Sequence, residues 1–470
     1  MRRREWLNMT SSTGLAFLGE VLRQRSVQAH DSATSNNSEN RGAGSGFGRA
    51  KSVLVVFASG GQSQLETFDP RPEAPLEVRG EFGAIESSVP GTFLCEHLPR
   101  LAKLAHRFAI VKSMSHEDLD HGSAMYLTLT GQYHQRLSSN PPPRETDHPY
   151  FGSVLEQLRP RSKFLRTSVL VNGPALVPFE PGPGQFAGLL GRRFDSLVIG
   201  DMTSDQPAIP GLERLEEINP QRHAIRRQLL NQLEQTRSQV AQPTIDMQTL
   251  YQQAYEMLDR PAARDALDMN AESATTRDRY GRHRPGQACL LARRLIEAEV
   301  PLVTVVWNHS NRGQDKYPDD PEQFGWDTHN DIFDVMGRSL LPRFDQSFSA
   351  LLEDLDQRGL LDTTLVVCLG EFGRAPLVAI ESRFHGASPG RKHWAAAYSI
   401  VMAGAGVRGG STIGATDRHA AYPISTKYGP WDVTATIFHA LGIDPSGHFY
   451  DSANRPYPLT SGQPIAALYS

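Results

Sequence analysis

Two features are scarce in this sequence of 470 residues, and each excludes a class of protein. It has only three cysteines, Cys95, Cys289 and Cys368, which lie far apart and form no Cys-x-x-Cys pair. That spacing argues against a disulfide framework and against a cysteine zinc site. The sequence also lacks any run of about 18 apolar residues, so we expect no transmembrane helix in the body of the chain.

An excess of charge of one sign is also missing. The 48 basic residues are balanced by 52 acidic ones, which gives a formal net charge of −4. We therefore expect no nucleic-acid partner, because such a partner requires a concentrated basic face. The hydrophobic share of 39% and the charged share of 21% are ordinary for a globular protein, and the length suffices for a large core.

Residues 1–29 have the outline of a signal peptide. Arg2, Arg3 and Arg4 precede a mildly apolar stretch and a small-residue exit that ends at Ala29. Consecutive arginines followed by an aromatic residue and a leucine resemble a twin-arginine signal. The alternative is a disordered basic N-terminus of a cytoplasmic protein.

The remaining chain divides by composition. Residues 30–50 are rich in Ser, Asn and Gly and are interpreted as a flexible linker, so the ordered domain is expected to cover residues 51–470. Within it, the segment from about Glu213 to Arg279 is charged and helical in pattern, without a strong strand pattern. We interpret this segment as a helical insertion or cap.

Short apolar runs rich in β-branched residues recur along the body of the chain, with helical patterns between them. Several of these runs are continuous, which is typical of strands buried on both faces. The alternation predicts an α/β fold with a mainly parallel sheet and helices on both faces. Predicted strands are Ser52–Ala58, Phe108–Val111, Ser168–Val171, Leu302–Trp307, Leu365–Leu369 and Ser399–Ala403; predicted helices are Leu98–Ala105, Ala288–Ala298 and Asp331–Arg358.

Polar segments follow several predicted strands, where ligands gather in open α/β sheets. After the first strand, Gly60 and Gly61 permit a tight turn and a close approach of the backbone. Glu66 and Asp69 follow as candidate metal ligands. The alternative is a polar turn in which the aspartate caps local structure.

The segment from Ser115 to Ser123 contains two histidines and three acids within six residues, directly after a predicted strand. His121 or one of its neighbours, His116 or Asp120, is therefore a candidate for a functional role. The alternative is a solvated charged loop.

Two further segments carry candidate ligands. Asp327 and His329 stand at the start of the predicted long helix and are of the residue types that zinc-like ions prefer. The alternative is helix capping by Asp327 or Thr328, with no role for His329. Glu371 follows a buried strand, where a carboxylate is costly unless it is paired or bound to metal. Arg374 could pair with it, and His393 precedes the next strand.

The order of these segments resembles the alkaline-phosphatase and sulfatase superfamily. More closely, the chain is similar to the domain of unknown function 1501 (DUF1501) family, whose members are often exported and described as sulfatase-like. The segments that carry this resemblance are Gly60-Gly61-x-Ser63-Gln64, Thr67-Phe68-Asp69-Pro70, Arg79-Gly80-Glu81-Phe82, Glu96-His97-Leu98-Pro99, His121-Gly122-Ser123-Ala124, Arg279-Tyr280-Gly281, Leu291-Ala292-Arg293-Arg294-Leu295, Trp326-Asp327-Thr328-His329, Gly370-Glu371-Phe372-Gly373-Arg374 and His393-Trp394.

The resemblance implies a three-layer alkaline phosphatase/sulfatase-like core with a mainly parallel central sheet. It implies one metal site formed by Asp327, His329 and His393. A second site would use Glu371 with an early acid, either Glu66 or Asp69; the family commonly has Asp at the position of Glu66.

Two departures from the superfamily pattern bear on activity. The Cys/Ser-x-Pro-x-Arg signature of formylglycine sulfatases is absent, and His121 stands at the position of its first residue. Phe372 follows Glu371 where the superfamily usually has His or Asn. His121 would then act as a ligand or a base, and Ser123 is the nearest conventional nucleophile.

The sequence therefore favours an exported, metal-dependent hydrolase of sulfate or phosphate esters, with zinc as the expected ion and manganese or calcium as alternatives. Its partner would be an anionic ester, including sulfated or phosphorylated glycans. The alternative is a catalytically inactive secreted protein of the same fold that binds anionic glycans or a protein partner. A third interpretation assigns the polar residues purely structural pairs and caps.

Overall fold

The computed structural model describes residues 45–159, 166–202 and 261–470, together with five isolated residues between 222 and 232. The chain divides into two units, residues 1–45 and 46–470. The predicted export signal and most of the predicted linker lie outside the described residues. Most of the predicted helical insertion also lies outside them.

Fourteen strands occur in the described part of the chain, and eight of them form one large sheet. The strand order in this sheet is β12-β4-β11-β8-β1-β7-β5-β6. Only β11 runs antiparallel to its neighbours among these eight. The strands are β1 Ser52–Phe57, β2 Ala84–Glu86, β3 Phe93–Cys95, β4 Phe108–Met114, β5 Ser168–Val171, β6 Leu197–Ile199, β7 Leu302–Val306, β8 Thr364–Leu369, β9 Gly373–Arg374, β10 His393–Trp394, β11 Tyr398–Ala403, β12 Thr412–Ile413, β13 His448–Tyr450 and β14 Pro456–Pro458.

The central strand β1 shows why the sheet is covered on both faces. Its successive side chains point to opposite faces. Leu54 and Val56 belong to one apolar cluster, whereas Val53, Val55 and Phe57 belong to another. All five side chains are buried, so a continuous apolar strand is satisfied only between two layers of helices.

Helices supply those two layers. Leu290 and Leu351 pack in the first apolar cluster, and Val154 and Ile437 pack in the second. The described helices are α1 Leu76–Arg79, α2 Pro99–Lys103, α3 His121–Thr130, α4 Phe151–Leu158, α5 Pro261–Leu267, α6 Ala274–Tyr280, α7 Arg284–Glu297, α8 Ile332–Val335, α9 Leu341–Gln357 and α10 Pro430–Ala440. The three-layer α/β class with a mainly parallel sheet is confirmed.

The predicted long helix is the clearest difference from expectation at the level of elements. It begins at Ile332 rather than Asp331 and contains a π-helical segment, Met336–Leu340, between α8 and α9. Pro342, in the first turn of α9, has no backbone N–H to donate to the preceding turn, which accounts for the altered hydrogen-bond register. The helix ends at Gln357 with Arg358 as its C-cap, and the next residue, Gly359, has a φ of +66° that suits a helix stop.

The three cysteines behave as their spacing predicts, since Cys95, Cys289 and Cys368 are all free and buried. Within the described residues, no helix combines the length and the apolar character needed to cross a membrane.

Candidate metal centre

Four separate segments meet at the carboxyl ends of the central strands. The helix α3, which begins at His121, follows β4; the segment with Asp327 and His329 lies between β7 and α8; and Glu371 follows β8 directly. His393 lies in the short strand β10, which pairs with β9 immediately after Glu371. This is the edge of the sheet at which the sequence predicts a site.

His121, Asp327, His329 and His393 form a histidine cluster. One ligand atom from each lies within 4.8 Å of the others. Nε2 of His329 is 2.9 Å from Nε2 of His393 and 3.0 Å from Oδ1 of Asp327. Nε2 of His393 is 3.2 Å from the same oxygen, and Nε2 of His121 is 3.1 Å from Oδ2 of Asp327.

The second nitrogen of each histidine contacts an acceptor outside the cluster. Nδ1 of His121 is 2.6 Å from Oε1 of Glu371. Nδ1 of His329 is 2.7 Å from Oε2 of Glu381, and Nδ1 of His393 is 2.7 Å from the carbonyl oxygen of Leu119. Each Nδ1 therefore donates a proton to its partner, and this assigns the tautomer of all three rings.

This assignment leaves three unprotonated Nε2 atoms and a carboxylate facing one another. Four acceptors at these distances repel unless a cation lies among them, either a proton or a metal ion. Ligand atoms around a tetrahedral zinc ion are separated by about 3.3 Å, since each lies about 2.0–2.1 Å from the metal. The donor set fits such an ion in type, and its contacts of 2.9–3.2 Å are close to that separation, while the full set of four atoms spans up to 4.8 Å.

The charges in the cluster are strongly coupled. Burial opposes a charge on His121, but Asp327 and Glu371 outweigh it and raise its pKa to about 9. Burial, reinforced by the charge of His121, lowers the pKa of His393 to about 3. Burial would raise the pKa of Asp327, but His121 and Arg374 hold it well below its usual range. Without a metal, His121 therefore carries a proton on both ring nitrogens. A metal ion that binds Nε2 of His121 would have to displace the proton there, because a ligating ring nitrogen is deprotonated.

Arg374 is fully buried, and its partner is Asp327 rather than Glu371. Its Nη2 donates to Oδ1 of Asp327 at 2.9 Å and to the carbonyl oxygen of Trp326 at 3.1 Å, and its Nε donates to the carbonyl oxygen of Gly61 at 3.0 Å. The guanidinium therefore fixes the aspartate and the turn after β1 in one arrangement.

The turn after β1 approaches the cluster by its backbone. Gly60 has a φ of +110°, and a Cβ at this position would lie 2.4 Å from the backbone nitrogen of Asp327. Its N–H donates to Oε1 of Glu371 at 2.8 Å, while Oε2 of that carboxylate is buried without a hydrogen-bond partner. Glu371 is thus placed as a support of His121, one step outside the cluster.

The two early acids are not brought into the cluster. Glu66 forms a buried ion pair with Arg391 at 2.6 Å and also accepts from Ser63. Asp69 is paired with Arg71 at 2.7 Å and with Lys112 at 3.0 Å. The predicted grouping of Glu371 with either acid is therefore not seen in the described residues, because basic side chains already neutralise both.

The other predicted residues around His121 serve the surrounding backbone. His116 donates through Nε2 to the carbonyl oxygen of Glu371 at 2.7 Å and accepts through Nδ1 from the N–H of Asp118. Asp120 caps α3 by accepting from the N–H of His121. Ser123 donates through Oγ to Oδ1 of Asp118 at 2.7 Å, and this hydroxyl also accepts from the N–H of Ser139.

Helix capping by Asp327 or Thr328 is likewise not seen, because α8 begins at Ile332 with Asp331 at its N-cap. Residues that the sequence analysis missed lie nearby. Glu381 comes from an irregular segment without a recognisable pattern, and Phe384 stacks on His329 with ring centroids 3.8 Å apart.

A cavity of about 300 Å³ opens beside the cluster, with Asp327 and His329 in its wall. Arg312 also lines it, with Nε 4.0 Å from Oδ2 of Asp327. A small ligand in this cavity would therefore contact both the histidine cluster and a guanidinium group.

Three solved structures of enzymes are distantly similar to this chain. A sulfatase from Pseudoalteromonas sp. has 14% identity and a TM-score of 0.39, with 89% of this chain and 72% of that chain covered. A phosphonate monoester hydrolase from Silicibacter pomeroyi has 12% identity and a TM-score of 0.37, with 89% and 76% covered. An alkaline phosphatase from the Antarctic bacterium TAB5 has 11% identity and a TM-score of 0.34, with 77% and 94% covered. These likenesses are too distant to carry a substrate or a residue role to this chain.

No curated protein matches the sequence. Residues 50–469 match the family described as "Protein of unknown function (DUF1501)". Because the match spans nearly the whole described domain, including all four residues of the histidine cluster, the chain belongs to the DUF1501 family.

Proposed function

We propose that this protein is a metal-dependent hydrolase of phosphate or sulfate esters. The observation that carries the proposal is the convergence of four acceptor atoms, three imidazole nitrogens and a carboxylate, beside a small cavity that also contains a guanidinium group. A site built only for structure would pair these acceptors with donors from the chain. In the cluster, Arg374 and a protonated His121 neutralise Asp327, whereas the Nε2 atoms of His329 and His393 face each other at 2.9 Å as acceptors that a metal ion would satisfy.

Zinc is the expected ion, because a set of three histidines and one aspartate suits zinc or another transition metal better than calcium. A divalent ion bound there would supply Lewis-acid activation of the ester and of attacking water. His121, His329 and His393 would hold it through Nε2, with Asp327 as the fourth ligand. Activation of an ester or of water would then require the ion to accept a fifth ligand.

The chain's own residues would do the remaining work. Glu371, Glu381 and the carbonyl of Leu119 orient the three imidazole rings, as acceptors behind metal-bound histidines do. Arg312, at the edge of the cavity, would bind oxygens of an anionic ester through charge-assisted hydrogen bonds.

Export of the protein is part of the same proposal and rests on the sequence of residues 1–29. The expected substrates are then extracellular or periplasmic anionic esters, including sulfated or phosphorylated glycans. The twin-arginine route is supported by Arg2, Arg3 and Arg4. Replacing all three arginines with lysine should leave the full-length chain in the cytoplasm, as cell fractionation would show.

The experiment on activity uses the full chain loaded separately with zinc, manganese or calcium. Hydrolysis of 4-nitrophenyl phosphate and 4-nitrophenyl sulfate is measured for the native protein, for an Asp327→Ala/His393→Ala variant and for a His448→Ala control at an exposed histidine. We expect turnover that a chelator removes, that the double variant lacks and that the control retains. Absence of hydrolysis with every metal would overturn the proposal.

One observation favours a second function, binding without catalysis. The hydroxyl of Ser123 is fully buried and engaged by Asp118 and Ser139, so the nearest conventional nucleophile is already committed to the protein. The alternative is a secreted protein that binds anionic glycans or a protein partner through the same site. Saturable, metal-dependent binding of a sulfated oligosaccharide without product release would support it.

A further inference from the structure

We propose that Phe384 is a positioning residue of the candidate metal centre, where its ring aligns His329 for a metal ion and Arg312 for an anionic ligand. This inference rests on the proposed function and adds a residue to the same site. Three observations carry it: the stacking of Phe384 on His329, the contact of the same ring with Arg312, and the anchoring of the segment that contains Phe384.

The ring of Phe384 fixes the plane of an imidazole that one hydrogen bond leaves free to tilt. Nδ1 of His329 is 2.7 Å from Oε2 of Glu381, which holds one edge of the imidazole. A ring held only by that bond could still turn about it and move Nε2 at the far edge. Phe384 lies parallel to the imidazole, with an angle of 4° between the rings and 3.8 Å between their centroids. Turning the imidazole would therefore drive it into the phenyl ring, which close packing does not permit.

The same ring contacts Arg312, the guanidinium at the edge of the cavity. Cζ of Arg312 lies 4.9 Å from the centre of the Phe384 ring, within the distance at which a cation is attracted to an aromatic face. Arg312 also donates through Nη2 to Asp315, and its side chain is 25% exposed. The guanidinium is therefore held on two sides while part of it is open to a ligand.

The segment that contains Phe384 is tied to the residue that follows His329. Nδ2 of Asn330 donates to the carbonyl oxygen of Phe384 at 3.0 Å and to that of Glu381 at 3.1 Å. Oδ1 of the same amide accepts from the N–H of Glu381 at 2.9 Å. Because Asn330 adjoins His329 in the chain, the phenyl ring and the imidazole belong to one hydrogen-bonded unit.

The cavity lies where this alignment would act on a ligand. Phe384, His329, Arg312 and Asp327 all belong to its wall, and Nε of Arg312 is 4.0 Å from Oδ2 of Asp327. A metal ion at the cluster and the guanidinium in the wall would attract the same anionic group only if their separation suits it. Phe384 would maintain that separation, because His329 and Arg312 contact a single ring.

The test uses the full chain and two binding measurements besides ester turnover. Zinc affinity is measured by competition with a chromophoric chelator, and the affinity of the zinc-loaded protein for inorganic phosphate and for sulfate is measured by calorimetry. Phe384→Leu removes the ring but keeps apolar bulk, whereas Phe384→Tyr keeps the ring. Phe82→Leu is the matched control, because the partly buried ring of Phe82 contacts His97, outside the cluster, with centroids 4.4 Å apart. Tm verifies the folding of each variant.

We expect Phe384→Leu to lower the zinc affinity and the anion affinity by about three- to tenfold each, while Phe384→Tyr and Phe82→Leu stay within about twofold of the native protein. A double-mutant cycle then assigns the effect on the anion to Arg312. In an Arg312→Met background, adding Phe384→Leu should still lower the zinc affinity but leave the anion affinity unchanged.

An unchanged zinc or anion affinity in Phe384→Leu, or an equal loss in Phe384→Tyr, would overturn the inference. A native protein that binds no zinc, or neither anion, would also overturn it. Ester turnover of the same preparations separates this inference from the hydrolase proposal. If no ester is hydrolysed but both affinities change as expected, the hydrolase proposal fails and the role of Phe384 stands. If esters are hydrolysed and Phe384→Leu alters neither affinity, the role of Phe384 fails and the hydrolase proposal stands.

Discussion

Two groups of buried charged side chains in this protein differ in whether the chain satisfies them. In the early-acid group, Glu66 is paired with Arg391, and Asp69 with Arg71 and Lys112. Each carboxylate there has at least one basic partner. Arg391 also donates hydrogen bonds to the backbone carbonyl oxygens of Val78 and Ala375.

In the histidine cluster the balance is the opposite. Three Nε2 atoms and the carboxylate of Asp327 converge, and Arg374 contacts that carboxylate at 2.9 Å. Both groups look alike in sequence, as acids and basic residues after buried strands. The comparison teaches that a buried acid alone does not indicate a metal site. The candidate metal centre is distinguished by hydrogen-bond acceptors that outnumber the donors the chain provides.

The largest expected effect is on metal content. His329→Ala removes one of the four converging atoms, and we expect the affinity of the purified protein for zinc to fall by more than about 100-fold. Elemental analysis beside His448→Ala, an exposed histidine, measures this. Equal metal content in the two variants would place the ion elsewhere and remove the contrast between the two groups.

The converse change should affect stability and spare the metal. Glu66→Ala leaves Arg391 buried without its carboxylate, and we expect the free energy of unfolding to fall by about 3–5 kcal/mol. Urea denaturation measures the loss, with Glu353→Ala, from a partly exposed pair with Arg279, as a control that costs less than about 1 kcal/mol. Loss of bound metal in a folded Glu66→Ala protein would show that this acid is a ligand after all.

A partly buried histidine away from both groups provides a pH reference. His283 caps α7 by accepting at Nδ1 from the N–H of Gly286, and burial, together with the charge of Arg343, lowers its pKa to about 4 from 6.5. Between these two values the unfolded chain binds more protons, so stability falls as the pH drops from 6.5 to 4, by up to about 3 kcal/mol.

His283→Asn keeps a good capping side chain and removes this titration. Urea denaturation of the two proteins across that pH range should show a shallower decline for the variant. Parallel curves would mean that the histidine is not held neutral by the fold.

Removing a support of the cluster should have an intermediate effect. Glu381→Gln weakens the acceptor that orients His329 while leaving all four converging atoms in place. We expect metal affinity to fall by about 10–100-fold, measured by competition with a chromophoric chelator. Arg383→Gln, which removes the other partner of Glu381, is the matched control; an affinity unchanged by Glu381→Gln would show that the ring needs no such support.

The smallest effect is expected for Ser123→Ala. If the hydroxyl is structural, its loss costs about 1 kcal/mol of stability and leaves ester turnover nearly unchanged. A nucleophile would instead lose nearly all turnover at unchanged metal content. Thermal unfolding and ester assays on the same preparation separate these outcomes.

Much of the fold is predictable because buried parallel strands have a strong signature. The runs at Ser52–Phe57, Leu302–Val306 and Thr364–Leu369 are continuous and β-branched, and all three form the centre of the sheet. The π-helical segment before α9 was not predicted, because the apolar stripe of the sequence favours one continuous helix. Pro342 is the residue that signals the change. The helical insertion predicted for residues 213–279 lies mostly outside the described residues and stays a prediction.

The candidate site is predictable in part. Asp327, His329 and His393, which the family resemblance implies as one site, do lie together, and His121 joins them from the start of α3. Their role as ligands stays a prediction. Glu381 could not be found because it lies in an irregular segment, and the neutralisation of Glu66 by Arg391 could not be foreseen because that pairing depends on tertiary structure.

The separation of the cluster residues along the chain has a consequence for biogenesis. His121 and His393 are far apart in the sequence, so a chain that ends before residue 393 lacks part of the cluster. A metal ion that needs the whole cluster would bind only the folded chain. Such an ion would stabilise the native state by about 2.7 kcal/mol at a free concentration 100 times its Kd. Bound metal would then distinguish the full-length folded protein from chains that end before residue 393.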